Sequence, residues 1–208
     1  MKLIIVGATG LVGRHLLTLA LADARVSTVV APVRRPLPAH PKLLAPLVDF
    51  DSLPGDAHWW QADAILCTLG TTIKAAGSKA AFRRVDFDYP LAAAKLAHAH
   101  GTPVYVLTSA IGANPNARVF YNRTKGELEQ ALQGVGFTSC TCVRPGLIGG
   151  TRDEFRPGER ALQYVLGALS WLLPKRWRPN PPERIAMAML TAALAPPVGF
   201  HAISSDEI

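Results

Sequence analysis

A strand-like Leu3-Ile4-Ile5-Val6 runs directly into Gly7-Ala8-Thr9-Gly10-Leu11-Val12-Gly13, and an amphipathic stretch over residues 11–21 follows. Glycines three apart at a strand–helix junction leave few folds open. The first lets the chain turn tightly, the second lets the backbone approach a pyrophosphate, and the third lets the helix lie close to its strand. The N–H groups of the first helical turn, with the helix dipole behind them, then face an anion. A glycine triplet is weak evidence alone; after an apolar strand and before a helix it has the context the motif requires. Gly7, Thr9, Gly10, Leu11, Val12 and Gly13 are therefore expected to hold the phosphates of a dinucleotide.

The rest of the chain keeps the same alternation. Strand candidates fall at residues 3–6, 26–33, 43–50, 64–69, 104–109 and 139–143, with helical patterns at 11–21, 89–99 and 121–133. Most of the strands read continuously apolar, as strands buried on both faces do. Strand, helix and strand repeated in this way predict a doubly wound parallel sheet with helices on both faces, an α/β fold. After Gly150 two helices, about 159–173 and 182–194, precede a last strand-like stretch at 199–203, with prolines at the joints. At 49% hydrophobic and 18% charged, the 208 residues suffice for one core. The expected organisation is a single domain over 1–208, with 147–200 as a small substrate-side or lid region within it.

The second strand ends in Pro32-Val33-Arg34-Arg35, about twenty residues beyond the last glycine. An NAD site would place a carboxylate there for the ribose 2′-hydroxyl, whereas arginine suits the 2′-phosphate of NADP. Arg34 and Arg35 thus point to NADP(H) as cofactor. Asp49 and Phe50, ending the third strand, stand where an adenine could be held, and Leu69 and Gly70, ending the fourth, border the same cleft.

Tyr121-Asn122-Arg123-Thr124-Lys125 opens a helix after the fifth strand, which ends Leu107-Thr108-Ser109. Residues four apart share a helix face. An ammonium beside a phenol favours the phenolate, so such a tyrosine can exchange a proton with a carbonyl or alcohol oxygen. A nearby hydroxyl, Ser109 or its understudy Thr108, can hold that oxygen.

With these residues in place the chain resembles the short-chain dehydrogenase/reductase superfamily over nearly its whole length. The resemblance rests on Gly7, Gly10, Gly13, Ser109, Tyr121 and Lys125, then Arg144-Pro145-Gly146. It is most similar to the atypical branch of Tat-interacting oxidoreductase-like proteins. The branch's flavour shows in Cys67-Thr68-Leu69-Gly70-Thr71-Thr72, Lys125-Gly126-Glu127 and Arg156-Pro157-Gly158-Glu159. Bacterial members are often labelled nucleoside-diphosphate-sugar epimerase-like. The resemblance implies an NAD(P)-binding Rossmann fold in which Tyr121, Lys125 and Ser109 are catalytic, Lys125 also bonds the nicotinamide ribose, and Pro145 lies against the nicotinamide. Two departures stand out: Ala110 replaces a third hydroxyl residue, and Asp86 stands where many relatives have Asn. Asp86 is expected to cap the helix near Tyr89.

A net charge of +7 admits anionic partners. The basic residues are scattered, without the aromatic platforms of single-stranded nucleic-acid sites, and no nucleic acid is expected. Cys67, Cys140 and Cys142 read as buried hydrophobes, no His/Cys spacing suits a metal, and no apolar run is long enough for a transmembrane segment. The expected address is the cytoplasm. The substrate is expected to be a small carbonyl or alcohol, with Arg152 and Arg156 as weak candidates for holding an anionic group; a homo-oligomer is left open. Two other functions stay in view: a non-catalytic NADPH sensor and a sugar-nucleotide epimerase-like enzyme.

Overall fold

The computed structural model describes residues 1–148 and 179–208. The helix expected near 159–173 and the candidates Arg152 and Arg156 lie outside the described residues. Seven strands form one sheet: β1 (Lys2–Val6), β2 (Thr28–Val30), β3 (Leu43–Leu44), β4 (Ala64–Cys67), β5 (Val104–Thr108), β6 (Ser139–Arg144) and β7 (Gly199–Ser204). Their order is β3-β2-β1-β4-β5-β6-β7, and every pairing is parallel. The chain steps outward from β1 to β3, then returns to lay β4 on the other side of β1. Where the direction reverses, the carboxyl ends of β1 and β4 open a crevice, the usual ligand position in such sheets.

Successive strand residues point to opposite faces, and both faces are covered. Leu3 and Ile5 pack with Leu16 and Ala20 of α1 (Leu11–Ala22) and with Ile185 and Met189 of a helix near the C-terminus. Ile4 and Val6 face the other way, into a core with Trp60, Ala93, Ala97, Leu128 and Leu132. Burial on both sides is why the strands read as unbroken apolar runs. Cys67, Cys140 and Cys142 are free and buried in that second core.

Two strands are shorter than the sequence suggests. Residues 26–33 yield only Thr28–Val30, and 43–50 only Leu43–Leu44 with an isolated bridge from Val33 to Leu47. Pro46 has no N–H to return between the bonds from Ala31 N to Leu44 O and from Val33 N to Pro46 O, and Pro32, whose neighbours Ala31 and Val33 donate toward β3, has none to offer on the β1 side.

Residues 71–88, which fall between the strand and helix patterns read from the sequence, carry two short helices, α2 (Ile73–Ala76) and α3 (Lys79–Arg83). The Thr72 and Ser78 hydroxyls cap them by accepting from Ala75 N and Ala81 N. Gly77 between them takes the left-handed conformation, φ +80°, that α2 needs in order to stop. A π-helical turn, Arg84–Asp88, then joins α3 to α4 (Tyr89–Ala99). The helix therefore has no free start near Tyr89 for Asp86 to cap, which corrects that expectation. Beyond β5 come α5 (Phe120–Gln133) and, after β6, α6 (Pro182–Leu194) leading into β7. Buried Asn180 fastens this last unit: it accepts from Gly146 N and Ser205 Oγ and donates to Ser205 O.

Candidate functional site

The glycine loop is built as its spacing requires. Gly7 turns with φ +88°, and a Cβ there would strike Thr68 and the Leu69 backbone; a Cβ on Gly13 would strike the Gly7 carbonyl. Thr68 Oγ1, which donates to the Val6 and Gly7 carbonyls at 3.1 and 3.0 Å, occupies that tight contact. Gly10 precedes α1 without a side-chain cap, and Arg14 N is the first i→i−4 donor of the helix, to Gly10 O at 3.0 Å. The N–H groups of Leu11, Val12 and Gly13 are thus left to an anion.

Two cavities flank this loop. One, of about 290 Å³, is lined by Gly7, Thr9, Arg34, Arg35, Phe50 and Leu69 among others. The second, of about 380 Å³, continues along Gly10, Thr68, Gly70 and Thr71 to Ala75, and Arg34 lines it too. Both arginines are exposed, and among the described residues neither is in an ion pair. Asp49 is engaged locally, its Oδ1 accepting from Asp51 N at 2.9 Å. Phe50 stacks near Tyr89, centroids 5.7 Å apart, and that tyrosine's hydroxyl donates to Asp51. The donor set and the missing Cβ atoms fit a dinucleotide phosphate.

On α5, Tyr121, Lys125 and Glu129 form one stripe at four-residue spacing. The half-buried Tyr121 ring packs on Phe82, centroids 5.7 Å apart. Lys125 is 3% exposed, and its Nζ lies 2.8 Å from Oδ1 of Asp86, itself 1% exposed. The other carboxylate oxygen of Asp86 accepts from Thr71 N at 2.8 Å. Oδ1 and the Lys125 ammonium thus form a close ion pair in which both groups are buried. Burial works to lower the Lys125 pKa, but the Asp86 carboxylate, with a further contribution from Tyr121, outweighs it and holds the ammonium above its ordinary range.

The hydroxyl candidates separate. Ser109 faces α5, but its Oγ donates to Oε1 of buried Glu129, which also receives Nε and Nη2 of Arg144 at 3.0 and 2.5 Å. Thr108 faces the opposite side of the sheet and donates to Met189 Sδ of α6, away from Tyr121. Pro145 is buried, and its carbonyl accepts from Ile111 N at 2.8 Å, continuing the β5–β6 pairing beyond the strands. Leu69 and Gly70 line the cavities as expected. Lys125 lies behind them: a Cβ on Gly70 would sit 3.7 Å from Nζ.

Sequence reading missed Asp86, Glu129 and Thr68 as members of this site. Glu129 had a signal, since it continues the Tyr121–Lys125 spacing by one more turn. Asp86 had none, because the π-helical turn that buries it leaves no periodic mark.

Fold and glycine loop together define a Rossmann-type α/β domain with the layout of the short-chain dehydrogenase/reductases. No family model matches the chain. Its relatives narrow the class. It is 37% identical over 175 residues to the mitochondrial protein fmp52 of Emericella nidulans, covering 79% of this chain and 74% of that one. It is 34% identical over 203 residues to HTATIP2 of Rattus norvegicus, covering 94% and 82%. The chain belongs to the family of these proteins, an atypical branch of the short-chain dehydrogenase/reductases. The fold matches MoeE5 in complex with UDP-glucuronic acid and NAD, with TM-score 0.76, 16% identity and coverage of 97% and 75%. It also matches the Bordetella bronchiseptica enzyme WbmH in complex with NAD+, with TM-score 0.71, 18% identity and coverage of 98% and 75%. The cytoplasmic address expected from the sequence is overturned: the fungal relatives, including that of Coccidioides immitis at 31% identity over 208 residues, are named as mitochondrial. Among the described residues no helix is long and apolar enough to cross a membrane.

Proposed function

We propose that this protein is an NADPH-dependent oxidoreductase acting on a small carbonyl or alcohol. The observation that carries the reading is the pairing of an arginine-lined cavity beside the glycine loop with the Tyr121–Lys125 stripe at the end of the same sheet. Gly7, Thr9, Gly10 and the first N–H groups of α1 would take the pyrophosphate. Arg34 and Arg35 would meet the 2′-phosphate, Phe50 the adenine, and Leu69, Gly70 and Pro145 the nicotinamide half. A dinucleotide held there would supply hydride chemistry at the substrate carbon, in either direction. Tyr121 gives or takes the proton on the substrate oxygen, as a positioned phenol can. Lys125 holds its charge behind the tyrosine. Ser109, with its proton committed to Glu129, would help only by accepting through its lone pairs, so Tyr121 is the group on which proton transfer depends.

That engagement of Ser109 also favours one alternative, a sensor that binds NADPH without turnover. A panel of small carbonyls with NADPH separates the two: Tyr121→Phe should keep cofactor affinity and lose at least about a hundredfold in rate. Equal turnover by parent and variant removes Tyr121 from the chemistry. Absence of turnover by the parent over the whole panel, with NADPH bound, leaves the sensor reading.

A further inference from the structure

The strip Pro145-Gly146-Leu147 leaves the carboxyl end of β6 and is held from two sides. Ile111 N, in the loop after β5, donates to the Pro145 carbonyl at 2.8 Å. Two further bonds come from Asn180, 34 residues beyond Gly146. Its Oδ1 accepts from Gly146 N at 2.8 Å, and its backbone N donates to Leu147 O at 2.8 Å. Asn180 is 6% exposed, and its amide is gripped in turn by buried Ser205, just past β7. The Ser205 Oγ donates to Oδ1 at 2.7 Å, and the Ser205 carbonyl accepts from Nδ2 at 2.9 Å. The amide has one orientation only. Gly146 N can only donate and Ser205 O can only accept, so the amide oxygen and nitrogen cannot trade places. An ionised aspartate would set a carboxylate oxygen against the Ser205 carbonyl, and an apolar residue would leave Gly146 N without its partner.

We propose that Asn180 is a positioning residue for the nicotinamide end of the dinucleotide, acting through the backbone of Pro145 and Gly146. The inference rests on the cofactor reading above, in which Pro145 meets the nicotinamide half. It goes beyond that reading by giving a role to a residue remote in sequence from every motif of the cleft. Pro145 has no N–H of its own, so its carbonyl is its one backbone anchor, and the next anchor along the chain is Gly146 N on Asn180. Gly146 has no side chain whose packing could stand in for that bond. Without Oδ1 the strip is free to shift, and about 1 Å of misplacement is enough to spoil a site built for one geometry. The end of β7 thereby reaches the cleft through Ser205 and Asn180. The two cavities beside the glycine loop are lined by other residues, so the adenine half should not feel the change.

The experiment compares two probes on the whole chain by calorimetric titration. Asn180→Ala should weaken NADPH about three- to tenfold, the scale of one hydrogen bond. Adenosine 2′,5′-bisphosphate, which lacks the nicotinamide half, should bind the variant as it binds the parent. The fluorescence of the bound reduced nicotinamide should also move toward that of free NADPH. Ser205→Ala keeps the bond from Gly146 N to Asn180 and removes one support of the amide, so it should weaken NADPH in the same way by a smaller factor. NADPH bound at parent strength by Asn180→Ala, or by Ser205→Ala where the first variant does not fold, overturns the proposal and leaves the cofactor reading standing. Equal weakening of both probes also overturns it, because a role in the fold alone produces that result. Failure of the parent to bind either probe overturns the cofactor reading itself, and this inference with it.

Discussion

Gly126 follows Lys125 in α5, and a side chain there would penetrate the backbone of the loop that follows β5. A Cβ would fall well inside contact distance of Asn114 C and N and of Pro115 N. These are backbone atoms, which cannot rotate aside as the end of a side chain can. Asn114 N also donates to Asn122 O at 3.1 Å, so lifting the loop breaks a bond between it and the helix. Overpacking of this kind costs about 1–3 kcal/mol, and loss of the hydrogen bond adds about 1 kcal/mol. Against this, alanine in a helix interior gains about 1 kcal/mol over glycine. Gly126→Ala should therefore be destabilised by about 1–3 kcal/mol in urea denaturation, which for a chain of this size lowers Tm by about 2–4 °C per kcal/mol. Stabilisation by about 1 kcal/mol, as helix propensity alone demands, would refute the close approach of loop and helix. Since Tyr121 and Lys125 ride on the same helix, the approach also fixes where the site lies.

Single side chains carry further expectations. Arg34→Ala should weaken NADPH by about 1–3 kcal/mol and NADH little, because only the former carries the 2′-phosphate; equal losses in titration would remove Arg34 from that role. Stability should also carry a pH signature. Lys125 has a folded pKa above its ordinary 10.5, so its contribution is fully present below that value and is lost as pH rises through the folded pKa. In Asp86→Asn burial acts on Lys125 without the opposing carboxylate, so neutralising the lysine relieves the variant. The stability gap between parent and variant, about 3 kcal/mol or more near neutrality for a broken buried pair, should narrow as pH rises in denaturant titrations, first below 10.5 as the variant's lysine neutralises and then above 10.5 as the parent's does. A gap constant with pH would separate Asp86 from Lys125.

The glycine loop, the parallel sheet and the Tyr121–Lys125 pair were legible because each leaves a pattern in the chain. Glycines fall where a Cβ cannot, apolar runs mark strands covered on both faces, and four-residue spacing marks one helix face. Helix 182–194 was readable on the same grounds and matches α6 in its limits. The lengths of β2 and β3 were not, because the apolar run masks the interruption at Pro32 and Pro46. Asp86 was misread because local sequence favours a cap, whereas its partner, Lys125, is far along the chain and the π-helical turn is set by packing. Ser109 shows the same limit: its position was right for a catalytic hydroxyl, but Glu129 and Arg144, reached only through the fold, claim its proton.

The cofactor reading requires the cleft beside Gly7, Gly10 and Gly13 to take a dinucleotide and to prefer NADPH through Arg34 and Arg35. Calorimetric titration of the parent chain with NADPH and NADH under the same conditions checks both requirements at once. One site is expected, with NADPH bound at least about tenfold more tightly, the value of one charge-assisted contact. Equal affinities, or tighter binding of NADH, would contradict it.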